Sequence, residues 1–168
     1  NADCSATDTV TVELLFESFS LGDDLVLCEG ESVTIATGYD DTIVHDWSNN
    51  ESTNQIEVVA GGVYEVTVTS PEGCTDSDEV EVTLQSLPVV DLGVDPGLCE
   101  GEIHPLDAGN PGMSYEWSTA DVSQNIDVTQ SGTYSVEVTD EFNCVGMDQI
   151  ELMFNLNPVI NLPEEITI

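Results

Sequence analysis

Apolar and polar residues alternate in short runs along most of the chain. The alternation is clearest in four runs, which carry Val33 and Ile35, Ile56 and Val58, Tyr64, Val66 and Val68, and Val80, Val82 and Leu84. A period of two places successive side chains on opposite faces of a β-strand. Clusters of Gly, Asn, Asp and Pro separate the runs and predict turns. No window has a helical period, so the pattern predicts an all-β chain.

The whole pattern occurs twice. The segment that begins at Leu21 matches the segment that begins at Leu92, at an offset of 71 residues and, after one deletion, of 70. A period this long, with its own Trp and Tyr each time, indicates tandem small domains rather than a solenoid. We therefore expect an internal piece of a longer protein, made of the C-terminal end of a preceding repeat (1–20), two complete repeats (21–87 and 88–157) and the start of a following repeat (158–168).

Six or seven short strands in about 70 residues favour a Greek-key sandwich, so we predict tandem immunoglobulin-like (PKD-like) β-sandwich repeats. Trp47 and Trp117 fall where the immunoglobulin fold carries the core residue of its strand C. Tyr64 and Tyr134 fall at the tyrosine corner that begins strand F. Two residues after each Tyr, a Val replaces the Cys of the usual inter-sheet disulfide. We expect all four aromatic residues to lie in or against the core.

The charge balance narrows the range of partners. The chain has 34 Asp and Glu residues and neither Lys nor Arg, which gives a formal net charge of −34. Such a surface repels nucleic acid and anionic lipid. We therefore expect no nucleic-acid partner and no direct membrane insertion. Any neutralisation of the acids must come from bound cations or from water between them.

Several acids recur near the predicted junctions between repeats. Calcium takes six to eight oxygen ligands, many of them carboxylates, and a solvated acidic surface is the alternative. The candidate calcium ligands are Asp24, Glu29, Asp91, Asp95 and Asp140. No Asp-x-Asp-x-Asp-Gly loop accompanies them.

The five cysteines indicate export into an oxidising compartment. Each complete repeat has one Cys before predicted strand B, Cys28 or Cys99, and one between predicted strands F and G, Cys74 or Cys144. These turns lie at opposite ends of a sandwich, and a six-residue strand spans about 20 Å, whereas a disulfide needs Cα atoms within about 7 Å. We therefore favour a Cys28–Cys144 bond between stacked repeats, with the other cysteines, Cys4 included, bonding repeats outside this sequence. Pairing within each repeat, Cys28–Cys74 and Cys99–Cys144, remains the alternative.

The sequence contains little that indicates a catalytic site. No Gly-x-Ser-x-Gly motif occurs, and paired carboxylates are expected by chance among so many acids. The two histidines, His45 and His104, stand at unmatched positions of the two repeats. His45 continues the alternation towards Trp47, which predicts a structural side chain. We expect no enzyme.

The repeated motifs are Leu-Gly-x-Asp, Leu-Cys-x-Gly, Trp-Ser and Gly-x-Tyr-x-Val-x-Val-Thr, followed by a Cys. Together they resemble the immunoglobulin/PKD-like repeats of very large bacterial surface adhesins, namely gliding-motility adhesins and related cell-surface filament proteins exported by type IX secretion. The resemblance covers nearly all of the chain and implies an extracellular module without an active site. Asp8-Thr9-Val10 and Asp41-Thr42-Ile43 also resemble the short sites that such bacteria O-glycosylate, at Thr9 and Thr42.

The expected function is therefore that of a structural segment in a long adhesin or surface filament, which spaces or presents an adhesive tip in gliding or cell attachment. Its expected partners are neighbouring repeats of the same chain and further copies in a homo-oligomer or filament. The alternative is a carbohydrate- or protein-binding accessory module of a secreted protein. That alternative predicts an aromatic loop residue in one repeat only, and Phe142 stands opposite Glu72.

Overall fold

The computed structural model describes residues 19–159, and within that range it contains thirteen β-strands and no helix. The chain divides into two compact units between Leu84 and Gln85. None of the described residues forms a helix long and apolar enough to cross a membrane. The all-β class expected from the alternation of apolar and polar residues is confirmed.

The first unit contains six strands. They are β1 (Leu25–Cys28), β2 (Val33–Ala36), β3 (Val44–Trp47), β4 (Gln55–Val58), β5 (Gly62–Thr69) and β6 (Thr75–Gln85). One sheet has the strand order β1-β6-β5-β3, and the other pairs β2 with β4. The pairs β2–β4, β3–β5 and β5–β6 are antiparallel.

The second unit repeats this arrangement with seven strands. They are β7 (Leu98–Cys99), β8 (His104–Asp107), β9 (Ser114–Trp117), β10 (Asn125–Val128), β11 (Gly132–Thr139), β12 (Val145–Leu152) and β13 (Phe154–Asn155). The sheets have the orders β12-β11-β9 and β10-β8, and β13 pairs in parallel with β7. In register, Trp47 faces Val66 in the first unit, and Trp117 faces Val136 in the second.

Each unit buries apolar side chains from its sheets in a single core. In the first unit the core joins Ile35, Ile56 and Val58 of the β2–β4 sheet to Trp47 and Val66 of the larger sheet. Burying each such aliphatic side chain contributes about 1.5–3 kcal/mol. In the second unit Val136 is 1 % exposed, as its counterpart Val66 is at 0 %. Two sheets packed face to face around such a core form an immunoglobulin-like β-sandwich in each unit.

The last strand differs between the units. In the first unit β6 runs without interruption from Thr75 to Gln85, whereas in the second unit the corresponding segment breaks at Met153 between β12 and β13. The N–H of Met153 donates to Asp95 Oδ2 at 3.2 Å, and the N–H of Phe154 donates to Ser131 Oγ at 2.7 Å. These side chains replace ladder partners at the break and keep its backbone donors satisfied.

A second difference lies where the chain enters the second unit. The backbone of Pro88, a buried residue, passes directly over Gly146 of β12. A Cβ atom added at Gly146 would overlap the carbonyl oxygen of Pro88 and lie 2.8 Å from its carbonyl carbon. The matched position of the first unit holds Asp76. Glycine at position 146 therefore serves the close approach of two backbone segments.

Candidate functional site

The two tryptophans occupy equivalent places at the centres of the two cores. Trp47 and Trp117 are each 2 % exposed. The indole N–H of Trp47 donates to Thr53 O at 2.8 Å, and that of Trp117 donates to Ser123 O at 2.8 Å. Because the rings are enclosed and their polar atoms are satisfied, neither indole presents a face to a ligand.

The two tyrosines make the same local contact with the turn that precedes their strand. Tyr64 donates its hydroxyl to Ala60 O at 2.9 Å, and Tyr134 donates to Gln130 O at 2.8 Å. Each ring is partly buried against the core of its own unit. This is the tyrosine-corner arrangement, in which the hydroxyl fixes the backbone four residues upstream.

Two of the four described cysteines end the first strand of a unit, just before the turn to the second strand, and we call Cys28 and Cys99 the A–B cysteines. The N–H of Cys28 donates to Glu31 Oε2 at 3.3 Å, and the N–H of Cys99 donates to Glu102 Oε2 at 2.7 Å. In both turns the carbonyl of the Cys accepts the N–H of that Glu, at 3.0 and 3.1 Å. A glycine with φ near 90° follows two residues after each Cys. The recurring Cys-Glu-Gly-Glu sequence therefore builds the same turn twice.

The other two cysteines lie immediately before the last long strand of each unit, and we call Cys74 and Cys144 the F–G cysteines. The N–H of Cys74 donates to Ser70 Oγ at 3.2 Å, and the N–H of Cys144 donates to Asp140 Oδ1 at 2.8 Å. In both turns the Cys carbonyl accepts the N–H of that residue, at 2.8 and 3.1 Å. The turn residue with positive φ is a Gly in the first unit and an Asn in the second. A Ser and an Asp thus perform the same turn-closing role.

The oxidation states of these cysteines differ within each pair. Cys28 and Cys144 are disulfide-bonded, whereas Cys74 and Cys99 are free and exposed. Pairing within each repeat is wrong for this structure, because it would engage all four sulfurs. The Cys28–Cys144 connection stays a prediction from topology. Cys4 lies outside the described residues.

The five candidate calcium ligands divide between the units. Asp24 and Glu29 lie in the first unit, and Asp91, Asp95 and Asp140 lie in the second. Among residues 19–159, no group of three or more His, Cys, Asp or Glu side chains is arranged to hold a metal ion. Calcium binding stays a prediction from the composition.

The structure assigns several of these carboxylates another role, as acceptors for backbone N–H groups. Asp24 Oδ1 accepts the N–H of Glu81 at 2.9 Å, and Asp91 Oδ1 accepts that of Gly93 at 2.9 Å. Asp95 Oδ1 accepts the N–H of Gly97 at 2.8 Å. Charge-assisted bonds of this kind anchor loops without any cationic side chain. Backbone N–H groups thus provide part of the hydrogen bonding that Lys and Arg side chains would otherwise offer to the carboxylates.

One pair of matched acids ties the entry segment of each unit to its last long strand. Asp78 Oδ2 accepts the N–H of Leu21 at 2.7 Å, and Asp148 Oδ2 accepts the N–H of Leu92 at 2.8 Å. The bond from Leu21 holds the pKa of the Asp78 carboxyl below its usual value, against the opposing effect of desolvation. The recurrence of these two acids in the sequence was the available signal, but their backbone partners were not visible there.

His45 is a structural residue of the first unit. Its ring is 3 % exposed, and its Nε2 shares a hydrogen bond of 2.9 Å with Thr37 Oγ1. The matched positions in the second unit hold Tyr115 and Ala108. The Tyr115 hydroxyl donates instead to Gly109 O at 3.1 Å. His104 lies in β8 and is partly exposed.

Of the two candidate glycosylation sites, Thr9 lies outside the described residues. Thr42 is exposed, and its N–H donates to Asp40 Oδ1 at 2.9 Å. Hydrogen bonds from the Thr42 hydroxyl and N–H hold the pKa of the Asp40 carboxyl below its usual value. The Thr42 side chain is therefore accessible on a turn closed by its neighbouring acid.

The loops of the second unit include one exposed aromatic ring. Phe142 is 44 % exposed and, with Pro111 and Met113, lines a shallow depression that Asp140 and Glu141 also line. The equivalent of Phe142 in the first unit is Glu72. This is the feature that a binding role for one repeat predicts.

Comparisons with known proteins give structural likeness alone. No protein-family model matches the chain, and no curated protein matches it. The insect immune protein hemolin shares 16 % identity over 82 % of this chain and 46 % of its own, with a TM-score of 0.43. DIP-gamma IG1+IG2 shares 13 % identity over 79 % of this chain and 94 % of its own, with a TM-score of 0.37. A Bacteroides ovatus protein, SGBP-B in complex with a mixed-linkage heptasaccharide, shares 14 % identity over 81 % and 44 %, with a TM-score of 0.31.

Proposed function

We propose that this chain is a structural segment of a long extracellular adhesin or surface filament, in which repeated sandwiches space or present an adhesive tip. The observation that carries the proposal is the duplication of one sandwich with the same core anchors and the same surface turns. Trp47 and Trp117 bond equivalent carbonyls, as do Tyr64 and Tyr134. A unit copied with its framework intact adds length to a protein without adding new chemistry.

The surface chemistry supports a location outside the cell. Disulfide-bonded Cys28 and Cys144 suit an oxidising compartment. A net charge of −34 keeps neighbouring copies soluble and apart at low salt. The resemblance of the repeated motifs to those of type IX-secreted adhesins supports a bacterial cell surface and a part in gliding or attachment.

Single-molecule pulling on the whole chain under reducing conditions tests this mechanical role. Each unit has its own core, so we expect two separate unfolding events of similar contour-length gain. A single cooperative event, or extension without a measurable force peak, would contradict the proposal. A Trp47→Ala variant should lose one event and keep the other, because the second core is built from other residues.

A binding role is the second candidate, and the exposure of Phe142 favours it. The ring lines a shallow depression together with Pro111 and Met113, on loops of the second unit. If this depression holds a sugar or a peptide, Phe142→Ala should abolish binding to a glycan or peptide array, while Val122→Ala, a matched change at another exposed apolar residue, should leave it intact. Array binding that survives Phe142→Ala would remove this candidate.

Calcium binding remains part of the proposal as a stabilising device. The candidate ligands are acids whose mutual repulsion a divalent cation would relieve. Addition of EDTA should then lower the melting temperature of the calcium-loaded protein, and an Asp95→Asn variant should respond less. An unchanged melting temperature would show that the acids are balanced by water and monovalent ions.

A further inference from the structure

The depression that Phe142 lines is built from two loops of the second unit, and each loop is closed by hydrogen bonds of its own. In the loop before β12, Asp140 Oδ1 accepts the N–H of Phe142 at 2.9 Å and that of Cys144 at 2.8 Å. In the loop before β9, the N–H of Met113 donates to Asn110 O at 3.3 Å. The lining groups are therefore held in place before any ligand binds, which lowers the entropic cost of binding.

The lining of the depression combines apolar and negatively charged groups. Phe142, Met113 and Pro111 provide the apolar side chains, and Asp140 and Glu141 provide two carboxylates. Both loop-closing bonds of Asp140 go to Oδ1, so neither of them uses Oδ2. The volume of the depression is about 330 Å³, at the lower end of the range for small-ligand sites. That volume is enough for one long side chain of a partner.

The charge of the chain indicates which kind of side chain the depression attracts. With 34 Asp and Glu residues and neither Lys nor Arg, the chain has no Lys or Arg side chain of its own to pair with these carboxylates. Its field attracts cations and repels anions. A guanidinium group stacks on an aromatic face and, through its planar fork of donors, bonds carboxylates at the same time. Charge complementarity therefore favours a basic peptide over a neutral sugar, which gains nothing from the field of the chain.

We propose that this depression docks an arginine side chain from a basic peptide segment of a partner protein. The guanidinium lies against the Phe142 ring and pairs with the carboxylates of Asp140 and Glu141. The proposal rests on the binding role of the second unit considered above and names the chemistry of its partner. The first unit has Glu72 at the position of the ring. It therefore offers negative charge without an aromatic face and serves as an internal reference.

Titration of the ¹⁵N-labelled full chain with a short blocked peptide, which carries a single arginine among glycines and serines, tests the proposal. We expect amide shifts concentrated on the loops at 111–113 and 140–143, and much smaller shifts around Glu72. Phe142→Leu keeps an apolar side chain at an exposed position but removes the aromatic face, so it should weaken binding about threefold and remove that concentration of shifts. Val122→Ala, at another exposed apolar residue, should change neither.

The same peptide with citrulline in place of arginine separates charge from shape, because citrulline keeps the length and planarity of the side chain but is neutral. It should shift no resonance on these loops. Shifts spread evenly over the acidic surfaces of both units, equal binding by Phe142→Leu, or equal binding of the citrulline peptide would overturn the proposal. Binding of a neutral oligosaccharide that depends on Phe142, with none of the arginine peptide, would overturn it while leaving the binding role of the second unit in place. The pulling experiment tests the mechanical function independently of all these outcomes.

Discussion

The first and second units share one framework of contacts, but at several matched positions beside it they have different residues and different hydrogen bonds. The framework consists of a Trp that faces a Val across two strands, a Tyr that fixes its own upstream turn, and an Asp that ties the entry segment to the last long strand. The differences fall beside this framework, at Gly146, at the Thr37–His45 pair and at the break in the last strand of the second unit. The comparison shows that position in the fold is preserved where a group holds two segments together. The residue type differs between the units where the side chain or backbone group that it contacts differs as well.

The last strand illustrates this. Gly61 of the first unit matches Ser131 of the second. A Cβ at Gly61 would lie 3.2 Å from the backbone N of Leu84, in an unbroken β6. In the second unit the strand opens, and the Ser131 hydroxyl takes the N–H of Phe154. The Ser131 side chain and the strand break therefore occur in the same unit, because an unbroken strand would leave no room for a side chain at that position.

The largest effect is expected from the close approach at Gly146. Gly146→Ala would force a methyl group into the carbonyl of Pro88, so the free energy of unfolding of the second unit should fall by about 2–3 kcal/mol through overpacking. Asp76→Ala, at the matched position of the first unit, should change the stability of its own unit far less. Hydrogen exchange of β11 and β5 reports the two units separately. Equal losses for the two variants would mean that the approach of Pro88 does not constrain position 146.

The next largest effect concerns the buried Thr37–His45 pair, which only the first unit has. Thr37→Val removes the hydroxyl but keeps the shape, and it should cost about 1–3 kcal/mol by leaving the buried His45 nitrogen without its partner. Adding His45→Phe should recover part of that loss, because both partners are then apolar. A double-mutant cycle from urea unfolding measures the coupling. Strictly additive losses would show that the bond has no net effect, and Thr34→Val, at an exposed position of β2, is the control.

A smaller and equal effect is expected at the tyrosine corners. Tyr64→Phe and Tyr134→Phe each remove one hydroxyl bond, of 2.9 and 2.8 Å, so each should lower the stability of its own unit by about 1 kcal/mol. Hydrogen exchange of the two F strands, β5 and β11, provides the measurement. Markedly unequal losses of stability in the two variants would show that the two tyrosine corners are not equivalent.

The smallest effect is a pH-dependent one at Asp78. Its folded pKa lies below the unfolded value of about 3.9, so its hydrogen bond to Leu21 contributes stability that is present above that value and is lost as the pH falls through the folded pKa. Asp78→Asn should therefore lower the free energy of unfolding at pH 7 and have a diminished effect at acidic pH. Urea titrations at the two pH values provide the test. An equal deficit at both would mean that the charge of Asp78 is not what stabilises the bond.

Much of this was predictable from the sequence, because the relevant signals are periodic and are repeated. Alternation of apolar residues predicted the strands, since the two faces of a strand differ in burial. The offset between Leu21 and Leu92 placed the Trp and Tyr residues in equivalent positions twice. The cysteine classes followed from the same alignment. The oxidation states of the cysteines did not, because they depend on which sulfurs approach in space.

The tertiary structure decided the contacts whose partners are distant in sequence or carry no side-chain signal. The partner of Asp78 is a backbone N–H 57 residues away, and backbone groups are the same in every residue. The role of Gly146 depends on Pro88 crossing it, which no local pattern encodes. Likewise, the acids that the sequence offered as calcium ligands include Asp24, Asp91 and Asp95, which bond main-chain N–H groups. The sequence by itself determined the periodicity, the repeat and the charge, whereas three-dimensional proximity determined which of the many acids and thiols have partners.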